Sequence, residues 1–243
     1  MSGRDTVQVV ILAAGLGSRL GRPLPKPLTR LDDGRTILER QVCAVRASLG
    51  PRVPITVVVG FMAETVMVAA PHGVGFVHNR DFAVTNTAKS LLAALTQIPA
   101  GGVLWLNGDV VFDTGVLDRG RPHMREQQTL VWVNTAAVAE EEVKYSLDPD
   151  GFIRELSKIV VGGLGEAVGI NFVSAADRAV LTEHLRACGP QDYFERGLET
   201  AIAESGMLVR PLDISGLLAV EIDDEEDLAR ANGHLLESVL PSD

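Results

Sequence analysis

Two cations, a glycine-rich turn and three acids are the residues of this 243-residue chain whose types and spacing could do chemistry together. Between Val9 and Leu28 the chain reads VVILAAGLGSRLGRPLPKPL: an apolar run breaks into a loop carrying Arg19, then into a proline-punctuated segment carrying Lys26. Gly15, Gly17 and Gly21 can take positive φ and let backbone N–H groups point closely at phosphate oxygens. Arg19 and Lys26 add fixed positive charge, and the guanidinium offers a planar fork of donors that matches phosphate. Much further along, LNGDVVF places Asp109 just past a buried strand, and VEIDDEEDL places Glu221 and Asp223 where a strand gives way to a helix. Magnesium takes one or two carboxylates and fills its other positions with substrate phosphates and water. Alone, Asp109 reads first as a turn residue and Asp223 as a helix cap, the commoner uses of aspartate. In company with the glycine loop they read as Mg²⁺ ligands for a bound polyphosphate.

The better-known glycine loops fit less well. A dinucleotide fingerprint needs GxGxxG to open a helix whose N-terminus receives the pyrophosphate. Here the spacing is GxGxxxG, and Pro23, Pro25 and Pro27 follow at once, which no helix interior holds. A Walker loop needs a GKS or GKT triplet, which is absent.

LAAGLGSRLG followed by PKPL resembles the signature of the nucleotidyltransferases that make nucleoside diphosphate sugars, CDP-alcohols and related compounds. The resemblance implies a three-layer α/β/α fold with a mostly parallel central sheet, whose glycine loop wraps the triphosphate of an incoming nucleotide. It implies Arg19 and Lys26 as the catalytic phosphate-binding pair. It also implies a nucleotide-binding set of Leu12, Ala13, Ala14, Gly15, Gly17, Ser18, Asn86, Ser90 and Asn107. Asp109, Glu221 and Asp223 match the metal-binding GD aspartate and EID acids of the cytidylyltransferases. In NTAKSLLAAL, Asn86 and Ser90 match a ligand-contacting pair, although Asn86 reads as well as an N-cap; Lys89 reads as solvated. EEVKYSLDPDGFIRELSK, GEAVGI and DYFERGLETAI resemble the small cytidylyltransferases acting on phosphonates and phospho-alcohols. In that light Lys144 and Lys158 face the acceptor's anion, with Glu166, Asp192, Tyr193 and Glu195 at its other end.

A choline head group calls for an aromatic cage. The chain has only two Trp, two Tyr and seven Phe, and GEAVGI carries Ala167 and Val168 where a choline-specific relative would carry a bulky aromatic. A compact phosphonate, with or without an amine or carboxylate of its own, suits the lysines and small residues better. The expected activity is therefore CTP-dependent transfer of CMP to a small phosphonate or phospho-alcohol. The choice of CTP rests on resemblance alone, because phosphates are read without reference to the base. A sugar 1-phosphate transferase using UTP, dTTP or GTP, and a nucleotide-sensing subunit without turnover, are the alternatives.

The remaining residues set bounds. A net charge of −10 argues against a nucleic-acid partner, since such binding draws on clustered Lys and Arg. It also means that an anionic substrate needs local cations or metal. Cys43 and Cys188 fall in helical segments and read as buried thiols, with no disulfide framework. His72, His78, His123 and His184 show no ligand spacing. MSGRDTVQ lacks a signal-peptide pattern and no apolar run reaches the ~20 residues of a membrane span, so a cytoplasmic enzyme without membrane contact is expected. A homodimer is left open.

The elements that must position these residues follow from the pattern. The apolar run over 7–12 is a strand buried on both faces. Thr36 with Glu39 makes a capping box for a helix ending near Gly50. Strand 55–60, helix 63–69 and strand 74–77 continue the βαβ rhythm, followed by helix 87–98 and strand 102–106. Beyond Thr129, LVWVNTA, EVKYSLD, FIRELSK and VGINFVS read as short strands, with helices over 175–187 and 193–204. LLAVEI at 217–222 is the last strand and 223–238 the closing helix, whose acidic start suits a helix N-terminus. One domain over 1–243 is expected.

Overall fold

The computed structural model describes residues 7–17, 20–136 and 142–237, with side chains described as far as 234. Strand β1 (Gln8–Ala13) is buried at every position and lies inside the sheet. It pairs in parallel with β2 (Ile55–Val59) and β4 (Val103–Asn107), and β2 pairs with β3 (Gly75–His78). On the far side of β4 lies β9 (Glu166–Val173), running antiparallel to β4 and to β6 (Leu130–Asn134). β10 (Arg210–Asp213) closes that edge, parallel to β6. The result is a mixed sheet of mostly parallel strands, from which the ribbon of β7 (Lys144–Leu147) and β8 (Ile153–Ser157) extends beyond β9.

Alternation along β1 explains the three layers. Val9, Ile11 and Ala13 pack against α1 (Ile37–Leu49), α2 (Ala63–Ala69) and α4 (Thr114–Arg125), through residues such as Leu38, Val42, Val66 and Leu117. Val10 and Leu12 face α3 (Thr87–Leu95), α5 (Arg178–Ala187) and α6 (Phe194–Ser205), through Leu91, Leu185 and Leu198. The capping box is present: the Glu39 N–H donates to Thr36 Oγ1 at 3.1 Å, and the Thr36 N–H donates to Glu39 Oε2 at 2.7 Å.

Three elements escape the sequence pattern. α4 contains Gly115, Gly120 and Pro122, all poor helix formers. It forms because Gly120 lets the helix lie against Trp132, whose Nε1–H donates to the Val116 carbonyl at 2.8 Å. A Cβ on residue 120 would sit 2.1 Å from Trp132 Cζ2. Gly120→Ala is therefore expected to destabilise the fold by about 1–3 kcal/mol, read as a lower midpoint in urea, despite alanine's better helix propensity. β10 contains Pro211, tolerated because β10 is an edge strand. β5 (Val110–Phe112) is too short to announce itself, yet it pairs antiparallel with β11 (Ala219–Glu221) in a separate small sheet. The final strand therefore does not join the main sheet. α7 (Glu225–Glu237) packs over this small sheet through Leu228 and Ala231.

Other expectations change. The Cys43 thiol lies on the exposed side of α1 and Cys188 is half-buried at the end of α5, so neither is a core thiol. The 87–98 helix ends at Leu95, and the 175–187 helix begins at Arg178. Among the described residues no helix is long and apolar enough to cross a membrane.

Candidate active site

The carboxyl ends of β1 and β4 open into a cleft of about 450 Å³. Gly15, Gly17 and Lys26 line one wall, and Asn107 and Asp109 the floor; Glu221 and Asp223 also line it. Ligands of open α/β sheets bind outside such strand ends. The β5–β11 ladder is what gathers the acids: Glu221 pairs with Val110, and the Ile222 N–H donates to the Asp109 carbonyl at 3.0 Å. Asn107 Nδ2 donates to Glu221 Oε1 at 2.8 Å across 114 positions of sequence.

Lys26 opens a single 3₁₀ turn, Lys26–Leu28, which is capped by Pro25 and contains Pro27. Its stem crosses Gly17, which has φ +59° and whose absent Cβ would lie 2.8 Å from Lys26 Cγ. This glycine thus serves the lysine as much as the loop's turn. Gly15 departs from expectation, since its φ is not positive and the space beside it is open. The Lys26 ammonium bridges two carboxylates, at 3.3 Å from Asp109 Oδ2 and in a shorter contact with Asp223 Oδ1. Burial works to lower the Lys26 pKa, but the two carboxylates outweigh it and raise it. Burial raises Asp109, with Lys26 pulling part of the way back. Burial and then the Asp109 charge push Glu221 well above the usual carboxylate range.

Gln41 of α1 has no counterpart among the residues expected for the site. Its side chain is 1% exposed, and its Nε2 donates to the carbonyls of Asn107 (2.7 Å) and Val110 (2.8 Å), pinning the turn that presents Asp109. A polar residue on the buried stripe of an amphipathic helix is the signal that could have found it. Gly169, at φ +68° with a phantom Cβ 2.5 Å from Glu221 Oε1, is a second such residue.

The model of the MobA-like NTP transferase domain matches residues 9–196. The chain belongs to this family. Its matched span holds the glycine loop and Asp109, whereas Glu221 and Asp223 lie beyond it and reach the cleft only through β11. Of curated proteins, the CMP-5'-(3-aminopropyl)phosphonate synthase of Streptomyces rubellomurinus is 30% identical over 251 aligned positions, 93% of this chain and 38% of that protein. A bifunctional IPC transferase and DIPP synthase of Rubrobacter xylanophilus is 42% identical over 104 residues, 40% of this chain and 23% of that protein. The chain thus spans well under half of either relative. Among solved structures, a CTP:phosphocholine cytidylyltransferase from Streptococcus pneumoniae superposes with TM-score 0.75 at 20% identity, covering 95% of this chain and 99% of that one. The inositol-1-phosphate CTP transferase from T. maritima gives TM-score 0.75 at 16% identity, covering 98% and 99%. These likenesses establish the nucleotidyltransferase fold.

Against this family frame, the other expected residues divide. Leu12, Ala13, Asn86, Lys158 and Tyr193 line the cleft. Ala14 instead anchors the loop after β2, its carbonyl accepting from the Phe61 N–H at 3.1 Å. Asn86 is also the N-cap of α3, accepting from the Thr87 N–H. Ser90 turns inward, its Oγ accepting from Asn79 Nδ2 at 3.0 Å, which removes it from the cleft wall. Lys89 is not solvated: its ammonium donates to the carbonyls of Leu185, Arg186 and Cys188, closing the C-terminus of α5. Lys144 and Glu166 face each other across β7 and β9, while their neighbours Val143 and Ala167 line the cleft. A one-residue step on a strand reverses a side chain's direction, which is why the neighbours rather than the expected pair reach the cleft. Asp192 closes a turn by accepting from the Gly189 N–H. Asp224, exposed, and Asp227 cap the start of α7, Asp224 accepting from the Asp227 N–H and Asp227 from the Asp223 N–H. Ser18 and Arg19 lie outside the described residues.

Glu195, in the first turn of α6, lines the cleft together with Lys158 and Tyr193. Its Oε2 is shielded from solvent and has no hydrogen-bond partner. Burial pushes its pKa up to about 7, against smaller opposing effects of a backbone N–H and Lys158. A carboxyl whose folded pKa lies above its unfolded value stabilises the fold below the unfolded pKa, and that contribution is lost as pH rises through the folded one. Between pH 5 and pH 8 the wild type should therefore lose on the order of 2 kcal/mol relative to Glu195→Gln, measured by paired urea melts. Parallel pH profiles for the two proteins would remove the assignment.

Proposed function

We propose that this chain is a CTP-dependent cytidylyltransferase that joins CMP to a small phosphonate or phospho-alcohol and releases pyrophosphate. The observation that carries the reading is the convergence of a glycine loop, Lys26, Asp109 and Asp223 at the carboxyl ends of β1 and β4. The choice of CTP and of a phosphonate draws support from the 30% identical Streptomyces relative, whose name specifies a CMP-linked phosphonate.

The cleft carries a divalent-metal problem in its own charges. Asp109, Glu221 and Asp223 lie where a triphosphate must approach, and among the described residues no three acids, cysteines or histidines gather tightly enough to form a metal cage. Magnesium needs no such cage, because one or two carboxylates plus substrate phosphates suffice. The Lys26 ammonium already marks a cation position between Asp109 and Asp223, so the residues fit the ion. Asp109 and Asp223 would hold Mg²⁺, with Glu221 beside them, and the ion would supply charge neutralisation at the phosphates.

In the reaction, an acceptor phosphonate or phosphate oxygen attacks the α-phosphorus of CTP while the bond to pyrophosphate breaks. The acceptor is already largely ionised at neutral pH, the second pKa of a phosphate monoester being near ~6, so no strong general base is required. The N–H groups of the Gly15–Gly17 turn cradle the triphosphate, and Lys26 shifts its charge to the phosphates. By resemblance, Arg19 does the same. Lys158 holds the acceptor's anion. Catalysis is thus positioning and electrostatic stabilisation.

The test is pyrophosphate release with Mg²⁺, crossing CTP, UTP, dTTP and GTP against phosphonates, phosphocholine and sugar 1-phosphates. Release with CTP and a phosphonate or phospho-alcohol is the expected result. Release confined to UTP, dTTP or GTP with a sugar phosphate overturns the reading.

A further inference from the structure

Helix α1 grips both halves of the site within its first two turns. At its start the Ile37 N–H donates to the Thr29 carbonyl at 3.1 Å, and Thr29 closes the Lys26 turn, its own N–H donating to the Lys26 carbonyl at 2.9 Å. One turn further on, Gln41 Nε2 reaches the carbonyls of Asn107 and Val110. Between those carbonyls lie Gly108 and Asp109, the two-residue connection from β4 to β5. A single amide therefore holds both ends of the turn that carries Asp109, while its helix holds the turn that carries Lys26. A helix is a stiff strut with a fixed rise per residue, so α1 acts as a ruler between the Lys26 ammonium and the carboxylate it meets at 3.3 Å. Main-chain contacts complete the turn. The Gly108 N–H donates to the Leu12 carbonyl at 2.9 Å, and a Cβ on residue 108 would lie 2.5 Å from that same oxygen.

Packing alone does not account for a glutamine here. Its neighbours on the buried stripe of α1 include Leu38, Val42 and Val45, and a methionine would fill the same volume. Gln41 Oε1 is shielded from solvent and has no hydrogen-bond partner among the described residues, a cost that an apolar side chain would avoid. Turning the amide over gives no relief, because the oxygen would then face two carbonyls. What glutamine offers is two N–H donors on one nitrogen, and both are in use.

We propose that Gln41 is a positioning residue for the divalent cation. It holds the Gly108–Asp109 turn where the Asp109 carboxylate can share an ion with Asp223, and so sets the affinity of the site for that ion. This rests on the magnesium reading above and adds to it a residue that stands behind the carboxylates and does not line the cleft. Without the amide, two carbonyls lose their donors in a buried place and the turn must relax to find others. Groups that orient a metal ligand from behind typically contribute about 10- to 100-fold in metal affinity or activity.

The experiment titrates Mn²⁺ alone, without nucleotide, into the full chain and reads the bound ion by electron paramagnetic resonance. A second measurement finds the Mg²⁺ concentration that half-activates pyrophosphate release. Wild type, Gln41→Met, Gln41→Asn and Val45→Ala are compared, with thermal melts as the check on folding. Gln41→Met keeps the stem and deletes both donors; Gln41→Asn keeps the amide but draws it one methylene short, and carries the comparison if the Met variant does not fold. Val45→Ala, on the same buried stripe, loosens the packing of α1 without touching the 107–110 turn. The Mn²⁺ dissociation constant should rise about 10- to 100-fold in the Gln41 variants and stay at the wild-type value in Val45→Ala. The Mg²⁺ requirement should rise by a similar factor, with most of kcat recovered at saturating Mg²⁺. Equal Mn²⁺ affinity in wild type and the folded Gln41 variants overturns the proposal. So does an equal loss in Val45→Ala, since a merely structural role would produce it. A wild type that binds no Mn²⁺ removes the metal reading itself, and this assignment with it.

Discussion

Asp109→Ala should lower kcat by at least ~10³-fold while the protein still folds. Removing one group that stabilises transition-state charge typically costs 10²- to 10³-fold, and under the proposed function the lost magnesium ligand adds to that. Asp109 sits on the floor of the cleft with its carboxylate against Lys26, and its backbone carbonyl, which the substitution leaves intact, accepts from Ile222. The β5–β11 ladder and the Gln41 contacts to Asn107 and Val110 are likewise backbone-anchored. The variant should therefore keep its circular dichroism spectrum and lose its turnover. Normal pyrophosphate release from a folded Asp109→Ala protein would remove Asp109 from the machinery.

Lys26→Met tests the same site through stability. Methionine preserves the stem that crosses Gly17 but deletes the ammonium that bridges Asp109 and Asp223. Breaking a buried pair is costly because the Lys26 charge no longer offsets the two carboxylates, which are only partly exposed. A loss of about 2–4 kcal/mol is expected in magnesium-free buffer, between the values for exposed and fully buried pairs. Millimolar Mg²⁺ should then raise the Tm of the variant more than that of the wild type, because binding to the folded state alone stabilises it and the competing ammonium has gone. The measurement is a thermal melt with and without Mg²⁺. If magnesium shifts neither protein, the carboxylate pair is not a metal site.

Local patterns in the chain were enough for the sheet's parallel half. β1, β2, β4 and the helices between them announce themselves through buried apolar runs, a capping box and glycine or proline punctuation, all of which act over a few residues. The turn after β1 and the proline-flanked Lys26 were legible for the same reason, since the residues that form them are contiguous. α4 and β10 were not legible, because a helix with Gly115, Gly120 and Pro122 and a strand with Pro211 contradict local propensity and exist through what they pack against or where they end the sheet. On the β7–β9 ribbon, Val143 and Ala167 reach the cleft where Lys144 and Glu166 were expected, since strand register settles which of two neighbours faces inward. Ser90 and Lys89 turned to Asn79 and to the end of α5, partners that are distant or unmarked in the sequence.

The amino acids in their order thus determine the glycine-rich turn after β1, the acids available to it and the layered α/β architecture, because these depend on residue type and short-range periodicity. Folding in space decides that Glu221 and Asp223 meet Asp109, that Gln41 and Gly169 support them, and that Glu195 is left with an unsatisfied oxygen in the cleft. The meeting of the acids depends on the β5–β11 ladder and on an Asn107–Glu221 hydrogen bond across 114 positions, and no local propensity encodes a contact at that range.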